Sequence, residues 1–321
     1  MTSIMIKRNV AIDFLKFFAV FLVMNSHMRI CYPQYDFLAT GGAMGDALFF
    51  FASGFTLFLG RKMRFDNWYK KRISRIYPSI LAASIFALLV WRFKEDFGDV
   101  LIGKRYWFIG CILIYYIFLY PVKNFGEGKY AMHLFVIWAL IGAMLYFVLF
   151  DGFTNFYSGG LYRCFLFFLF MLQGAWMGKQ QDSYKFKWIY FVLWIVCSLA
   201  WFALFYIGKG NGLFFLSLFP LLGFTRYTYL IFTATCFDKL YKHQICGNIV
   251  YVISQLCLEV YLIQKFVFTD KLNFMFPLNI PIIMIAVLLV SYFIKMISEI
   301  ILQTFRTEPY DWSKVITYKR F

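Results

Sequence analysis

The sequence has few charged residues for its length. Asp, Glu, Lys and Arg make up 15% of the 321 residues, whereas soluble domains carry roughly a quarter. Hydrophobic residues make up 62%, and Phe alone contributes 43 residues. A soluble core could not bury so many apolar side chains, so lipid is their expected solvent. No polar stretch is long enough to form a separate soluble domain, and we expect one membrane-embedded domain over residues 1–321.

Motifs for metals, disulfides and nucleotides are also missing. The seven cysteines form no C-x-x-C pair and lie mostly in apolar runs, so we expect no metal site and no disulfide framework. No Walker loop, dinucleotide fingerprint, zinc-protease motif or nucleophile elbow occurs. The net charge is +16, but the basic residues fall in short gaps between apolar runs. This pattern excludes a nucleic-acid partner and favours contact with membrane lipid or a phosphorylated ligand.

Apolar runs that are long enough to span a bilayer recur from end to end of the chain. A membrane span needs about 20 mostly apolar residues, and the sequence contains about ten such runs. We therefore predict an all-α polytopic integral membrane protein. The runs lie near residues 11–30, 45–60, 77–92, 106–122, 132–150, 161–178, 188–207, 215–237, 248–268 and 280–302.

The positions of Lys and Arg predict the orientation of these spans. If both termini are cytoplasmic, twenty basic residues lie inside and seven outside, as the positive-inside rule requires. The first run carries Lys7 and Arg8 on its N-terminal side and has no small-residue cleavage site after it. We therefore interpret it as a retained span rather than a signal peptide.

The first run contains three ionisable residues, which are costly inside a membrane and often functional. Lys16 and His27 differ by about 20° around a helix, and Asp13 lies about 40° from His27. The rise along the helix separates Lys16 from His27 by about 16 Å, with His27 towards the outside. One interpretation is that Asp13 and Lys16 only neutralise each other. The other is a polar seam in which His27 acts as a general base.

Four other residues within the spans are candidates for a substrate pocket. Arg163 lies near the outer end of its span, while Arg226 and Glu259 lie deeper. The alternative for Arg226 and Glu259 is an ion pair that holds two helices together. Ser53 precedes Gly54 in the second span, where small residues also simply let helices approach closely.

The segment 61–75 is the densest basic cluster of the chain. Arg72 and Arg75, three residues apart, would share one face of a helix. The cluster either determines topology alone or binds phosphates, which Arg recognises with two parallel hydrogen bonds.

Several of these segments resemble the acyltransferase 3 family of bacterial membrane acyltransferases. Ile12–Lys16 followed by His27 resembles the family's first span, L-D-x-L-R with ten residues between Arg and a His. The Gly41–Gly42 turn and Phe49–Phe55 resemble its Gly-rich turn and F-F-x-x-S-G-F segment. Arg72–Pro78 resembles its R-x-x-R-I-x-P motif. These motifs stand in the family's order and spacing.

Later segments add weaker similarity, so that the resemblance runs from about residue 8 to 300. They are Tyr106–Phe108, Arg163 with Phe167 and Gly174, and Glu259–Gln264. Three positions depart from the family pattern. Lys16 stands where the family usually has Arg, and Gln264 where it commonly has His. Ala47 stands where many members have Asp, and Asp46 lies one residue earlier. Longer members carry a soluble hydrolase-like domain after the spans, and this sequence shows none, so we expect a stand-alone member.

The resemblance implies transfer of an acyl group, usually acetyl from acetyl-CoA, to a hydroxyl of an extracytoplasmic or lipid-linked glycan. Acyl-CoA would be a donor substrate, with no permanently bound cofactor, and the protein would reside in the cytoplasmic membrane. Arg72 and Arg75 would bind CoA phosphates, and His27 would be the base, with Asp13 and Lys16 along the seam. An acyl-enzyme on Ser53 is a weaker expectation, since no base is evident beside it.

Two other functions are consistent with charged residues inside membrane spans. A transporter of a sugar or lipid-linked sugar would also carry buried charges along its path. A structural or lipid-scaffold protein would tolerate replacement of His27, and the sequence leaves its oligomeric state open.

Overall fold

A computed structural model describes residues 8–60, 62–92, 106–124, 130–149, 157, 160–208 and 212–316. Within these ranges the chain forms α-helices and short 3-10 turns, with no β-strand. The helices are α1 (Val10–His27), α2 (Gly42–Leu59), α3 (Phe65–Trp91), α4 (Trp107–Asn124), α5 (Ala131–Leu149), α6 (Gly160–Lys179), α7 (Trp188–Ile207), α8 (Leu218–Phe232), α9 (Thr235–Lys242), α10 (Gln244–Gln255), α11 (Cys257–Val267), α12 (Asn279–Thr304) and α13 (Trp312–Val315).

The predicted polytopic architecture is confirmed. In the described ranges, nine helices are long and apolar enough to cross a membrane. The pair α10 and α11 raises the number to ten if it is counted as one span. Several basic residues used to predict the orientation, including Arg61, Lys94 and Lys129, lie outside the described residues.

Helix α3 begins well before the apolar run that predicted it. The run near 77–92 is the second half of a helix that starts at Phe65 and includes the basic residues Arg72 and Arg75. The prediction placed the boundary too late because hydropathy marks where a helix enters lipid, not where it starts. Lys and Arg are good helix formers, so the helix extends through them into the aqueous region.

The ninth predicted span, 248–268, is broken rather than continuous. Helices α10 and α11 meet at Leu256 with a bend of 77°. No Pro or Gly stands at the break, so the sequence carries none of the usual signals of a kink. Polar residues Ser254 and Gln255 precede it, and Ser254 hydrogen-bonds back to the carbonyl of Tyr251 at 2.8 Å.

The chain folds as two compact units that are interleaved along the sequence. Unit 1 takes its described residues from Met1–Leu15, Asp46–Met63 and Ile114–Leu240. Unit 2 takes its described residues from Lys16–Gly45, Arg64–Leu113 and Tyr241–Phe321. The expectation of a single domain over residues 1–321 remains a prediction.

In unit 1, α2 and α6 approach each other through glycine. A methyl group added at Gly54 would lie 1.9 Å from the carbonyl oxygen of Met171, and one at Gly174 would lie 2.0 Å from that of Phe51. Backbone atoms cannot move aside as a flexible side chain can, so only Gly fits at either position. The close-approach interpretation of Ser53–Gly54 is confirmed. Elsewhere in this unit, α7 packs along α8, and α5 along α6.

In unit 2, α12 packs against both α3 and α11, and α13 folds back on α12. The Gly-rich turn of this unit places the start of α2 against the C-terminal half of α1. Gly41 has φ +97°, a left-handed conformation that favours glycine. A methyl group at Gly45 would lie 2.5 Å from the side chain of Val23. The turn thereby fixes the surroundings of the last turn of α1.

Two of the seven cysteines depart from expectation. Cys111 and Cys164 are disulfide-bonded, so the prediction of no disulfide is wrong for them. The spacing of cysteines along a sequence carries no information on the separation of their Cα atoms, which decides whether a bond can form. The remaining five described cysteines are free.

Candidate active site

The larger of two described cavities lies within unit 2 and has a volume of about 450 Å³. This falls in the range of roughly 300–1,000 Å³ that is usual for small-molecule sites. Its walls come from the basic half of α3, the end of α10 at the break, the C-terminal half of α12 and the tail after it. The lining residues that bear on the chemistry are Ser74, Arg75, Ser79, Gln255, Lys295, Glu299, Arg306 and Lys314.

The lining of this cavity is strongly basic. Four cations, Arg75, Lys295, Arg306 and Lys314, face one lining carboxylate, Glu299. The two Arg side chains stay charged at any physiological pH and offer planar sets of N–H donors. Such a surface attracts an anion and is suited to bidentate contacts with phosphate.

A buried carboxylate lies behind this lining. Glu259, in the first turn of α11, is 1% exposed, and its Oε1 accepts a hydrogen bond of 2.7 Å from Ser79 Oγ. Lys295 Nζ lies 3.7 Å from the same oxygen and 3.0 Å from Glu299 Oε1. Glu259 Oε2 is buried and makes no hydrogen bond with any residue that the structure describes. Glu259 thus fixes Ser79 and Lys295 at the cavity wall while keeping one oxygen available.

The C-terminal tail closes one side of the cavity. The side chain of Gln303 donates to the Asp311 carbonyl at 3.1 Å and accepts from the Asp311 amide at 2.8 Å. Asp311 in turn caps α13 by accepting from the amide of Ser313 at 3.0 Å. These contacts place Lys314 and the buried Val315 at the cavity.

The two arginines predicted to bind CoA phosphates have different surroundings. Arg75 is exposed and lines the cavity. Arg72 lies outside the lining, and its guanidinium stacks over the ring of Trp68, 4.6 Å from the centroid. The cation–π contact holds the guanidinium in place, and Arg72 adds positive charge one turn of α3 away from Arg75 without lining the cavity.

His27 is the last residue of α1 and is exposed. The side chain of Asn25, two residues earlier, donates to the carbonyls of Leu38 and Thr40 at 2.8 and 3.0 Å. Tyr32 donates to Asn25 Oδ1 at 2.6 Å. These bonds hold the segment that follows α1 in place, so the imidazole stands on a fixed end of a helix with an accessible face.

Asp13 and Lys16 do not form the pair considered from the sequence. Asp13 is 3% exposed and binds Arg8 through two contacts, Nε to Oδ2 at 2.5 Å and Nη2 to Oδ1 at 2.9 Å. The interpretation of mutual neutralisation is therefore wrong. Lys16 is half-buried and has no ion pair with a described carboxylate.

Ser53 and Arg163 belong to unit 1. Ser53 is half-buried in α2, and no base with a described side chain hydrogen-bonds its hydroxyl. Arg163, in the first turn of α6, donates from Nη1 to the carbonyl of Tyr157 at 3.0 Å. It also interacts electrostatically with Asp46 at the start of α2.

Arg226 and Glu259 belong to different units. The cation beside Glu259 is Lys295, whereas Arg226 lines a second cavity that lies wholly in unit 1. Of the two residues, only Glu259 belongs to the basic cavity of unit 2.

Sequence reasoning missed most of the cations of the basic cavity. Lys295 and Glu299 interrupt the apolar run 280–302 and lie four residues apart, which is itself a signal of a polar helix face. Arg306 and Lys314 were counted only for topology, and nothing in their spacing shows that the tail folds back onto α12. The partnership of Arg8 with Asp13 was also missed, because Arg8 precedes the apolar run.

The comparisons with known proteins identify a family for this chain. A sequence model of the acyltransferase 3 family, described as an acyltransferase domain, matches residues 9–296. The searches of curated proteins and of solved structures returned no match. The matched range includes the His27 helix, the basic half of α3 and the bent pair α10–α11, whereas the part of the cavity lining that contains Glu299, Arg306 and Lys314 lies beyond it. The chain therefore belongs to the acyltransferase 3 family and is a multi-pass membrane acyltransferase.

Proposed function

We propose that this protein transfers an acyl group, with acetyl as the expected group, from cytoplasmic acyl-CoA to a hydroxyl of an extracytoplasmic or lipid-linked glycan. The basic cavity of unit 2 is the observation that supports acyl-CoA as the donor substrate. Its four cations match the phosphates of CoA in charge and its volume suits a small molecule. The cavity lies at the end of α3 that holds the basic cluster, which is the cytoplasmic end by the distribution of Lys and Arg.

Within the cavity, Arg75 and Arg306 would contact the donor phosphates directly. Lys295 is already held by two carboxylates, so it would contribute mainly to the local field. Arg72 would add positive charge from its place over Trp68. Acyl-CoA is a substrate in this scheme, and no permanently bound cofactor is invoked.

His27 would act as the general base at the outer end of α1. The acceptor hydroxyl loses its proton to the imidazole as its oxygen attacks the thioester carbonyl. The new C–O bond forms, the C–S bond breaks, and the CoA sulfur leaves as a thiolate that takes up a proton. Lys16 lies in the same unit, about 16 Å from His27 along α1, so it would line the polar seam rather than contact the reacting carbonyl. Asp13 would support the helix through Arg8 rather than take part in the chemistry.

Other sequence candidates fall outside this scheme or support it indirectly. Glu259 orients Ser79 and Lys295 at the cavity wall. Arg163, with its Tyr157 contact, is a candidate for acceptor binding in unit 1. A covalent intermediate on Ser53 is not part of the proposal, because its hydroxyl has no adjacent base among the described residues. The expected site of action is the cytoplasmic membrane, with the glycan on its outer side.

The test is turnover of radiolabelled acetyl-CoA by the purified full chain in proteoliposomes, with a panel of glycan acceptors. For His27→Ala we expect kcat to fall by about 10²- to 10⁴-fold, the usual contribution of a general base. For Arg75→Gln we expect the KM for acetyl-CoA to rise roughly tenfold or more, because one charge-assisted hydrogen bond contributes about 1.5–3 kcal/mol.

Matched variants control for insertion and for bulk charge. His133→Ala removes another imidazole, in the first turn of α5, and Lys71→Gln removes another exposed charge from α3. Both should leave turnover within twofold of the wild type. Full acetyl transfer by His27→Ala would overturn the mechanism. Uptake of unmodified sugar without any acetylated product would instead favour a transporter.

A further inference from the structure

The second cavity, within unit 1, has a volume of about 230 Å³. We refer to it as the Arg226 groove. Its walls come from the start of α5, the end of α6 and the middle of α8. The lining residues are Met132, Phe135, Gln173, Trp176, Leu222, Gly223, Arg226 and Tyr227.

Arg226 is the one charged residue among those lining the groove, and its side chain is exposed. The guanidinium lies over Trp176, 5.8 Å from the ring centroid. It makes no hydrogen bond or ion pair with a side chain in the described part of the chain. Arg163 and Lys295, by contrast, are bound to a carbonyl and to carboxylates. A permanently charged group within a span needs a counter-charge or water.

The amide of Gln173, which also lines the groove, is engaged through both its nitrogen and its oxygen. Gln173 is 7% exposed and donates to the carbonyl of Leu222 at 2.9 Å. Its Oε1 accepts from Thr225 Oγ1 at 2.6 Å. Gln173 therefore joins α6 to α8 and sets the shape of the groove, and it is not available to neutralise the arginine.

The groove lies near one membrane surface. Arg226 is six residues before the end of α8, about 9 Å along the axis, and Trp176 is three residues before the end of α6, about 4.5 Å. Met132 is the second residue of α5. The loop 180–187, which contains Lys185 and Lys187, follows α6 directly. In that loop burial raises the pKa of Tyr184 and the charge of Arg226 lowers it, so the guanidinium lies near the loop.

We propose that the Arg226 groove binds an anionic phospholipid of the adjacent leaflet. The lipid phosphate would take two N–H donors of Arg226, and an acyl chain would lie along Met132, Phe135 and Leu222. Met132 is 40% exposed, so the apolar wall is open to the bilayer. Basic pockets between transmembrane helices are a known mode of headgroup recognition. A free phosphate would satisfy the arginine but would leave this apolar wall uncovered.

The proposal is independent of the acyl donor and acceptor. It is tested by native mass spectrometry and thermal unfolding of the delipidated full chain in neutral detergent. The probes are a phosphatidylglycerol, a phosphatidylcholine of the same chains, and inorganic phosphate. We expect phosphatidylglycerol to raise the unfolding midpoint of the wild type. We expect Arg226→Gln to weaken the apparent affinity for this lipid roughly tenfold or more, as the loss of a charge-assisted bond predicts.

Lys185→Gln is the matched control, because it removes one exposed charge from the adjacent loop without altering the groove. It should retain the lipid affinity of the wild type within about threefold. Equal losses in both variants would overturn the site in favour of general surface charge. Stabilisation by inorganic phosphate alone would make it a free-anion site. A dimer that dissociates in Arg226→Gln without any change in lipid binding would assign the groove to a second copy of the chain.

Discussion

In unit 1, α2 and α6 approach so closely that Gly54 and Gly174 have no space for a methyl group. In unit 2, α3, α10 and α12 border a basic cavity of about 450 Å³. Both regions are built from long membrane helices. At the glycine crossing the two helix backbones come into contact, whereas the helices of unit 2 leave a polar cavity between them. The difference follows from the residues that face inward: small residues permit backbone contact, whereas a buried carboxylate and several cations require partners or solvent.

The largest expected effect is at the glycine crossing. Gly174→Ala places a methyl group against the backbone of Phe51, which cannot move without separating the helices. We expect a loss of about 3 kcal/mol in stability, the upper part of the range for overpacking. The measurement is the thermal unfolding midpoint in detergent. Gly110→Ala is the control, since nothing lies within 4 Å of its added methyl group. Equal midpoints for the two variants would show that the crossing is looser than described.

An intermediate effect is expected at the buried carboxylate of unit 2. Glu259→Gln removes a charge that holds Ser79 and Lys295, and we expect a loss of about 1–2 kcal/mol of stability. Binding of CoA itself, measured by calorimetry, should be retained or strengthened, because the cavity gains net positive charge. Glu299→Gln is the matched control, with an i, i+4 contact to Lys295 and a more exposed side chain. If CoA affinity fell with Glu259→Gln, the carboxylate would have to contact the donor.

The smallest effect is expected at the tail. Hydrogen bonds from Ser313 and the charge of Lys314 lower the pKa of Asp311. A folded-state pKa below the unfolded value of about 3.9 stabilises the fold above that pH and loses the contribution as pH falls through the folded value. We therefore expect faster amide hydrogen exchange over residues 311–315 only below about pH 4. At neutral pH, Asp311→Ala should reproduce that fast exchange. Unchanged exchange in both cases would mean that Gln303 alone holds the tail.

The contrast between the two regions shows what could be predicted from sequence. Hydropathy located the spans, because lipid imposes one requirement on every spanning helix. The first motif led to His27, and the basic cluster led to Arg75, both in unit 2. The small residue Gly54 was correctly interpreted as a point of close approach, since this depends on residue size alone.

The remaining features depend on contacts between distant segments. Asp13 pairs with Arg8 rather than Lys16, because the side chain of Arg8, two residues before α1, reaches the first turn of the helix. The tail reaches the cavity because the side chain of Gln303 binds the backbone of Asp311. No sequence pattern predicts this contact. The break at Leu256 has no Pro or Gly to mark it. Pairing and folding back are decided by the whole unit, so local periodicity could not reveal them.

The bend of 77° at Leu256 has a further consequence. A helix that ends within the membrane leaves carbonyl groups without intrahelical partners, and a bilayer accepts such main chain only where it faces protein or a wetted space. Val252, Gln255 and Leu256 line the basic cavity, so the main chain at the break borders a polar space. Substitution of lining side chains can change which anion is preferred, while the entry of water is set by the course of the backbone.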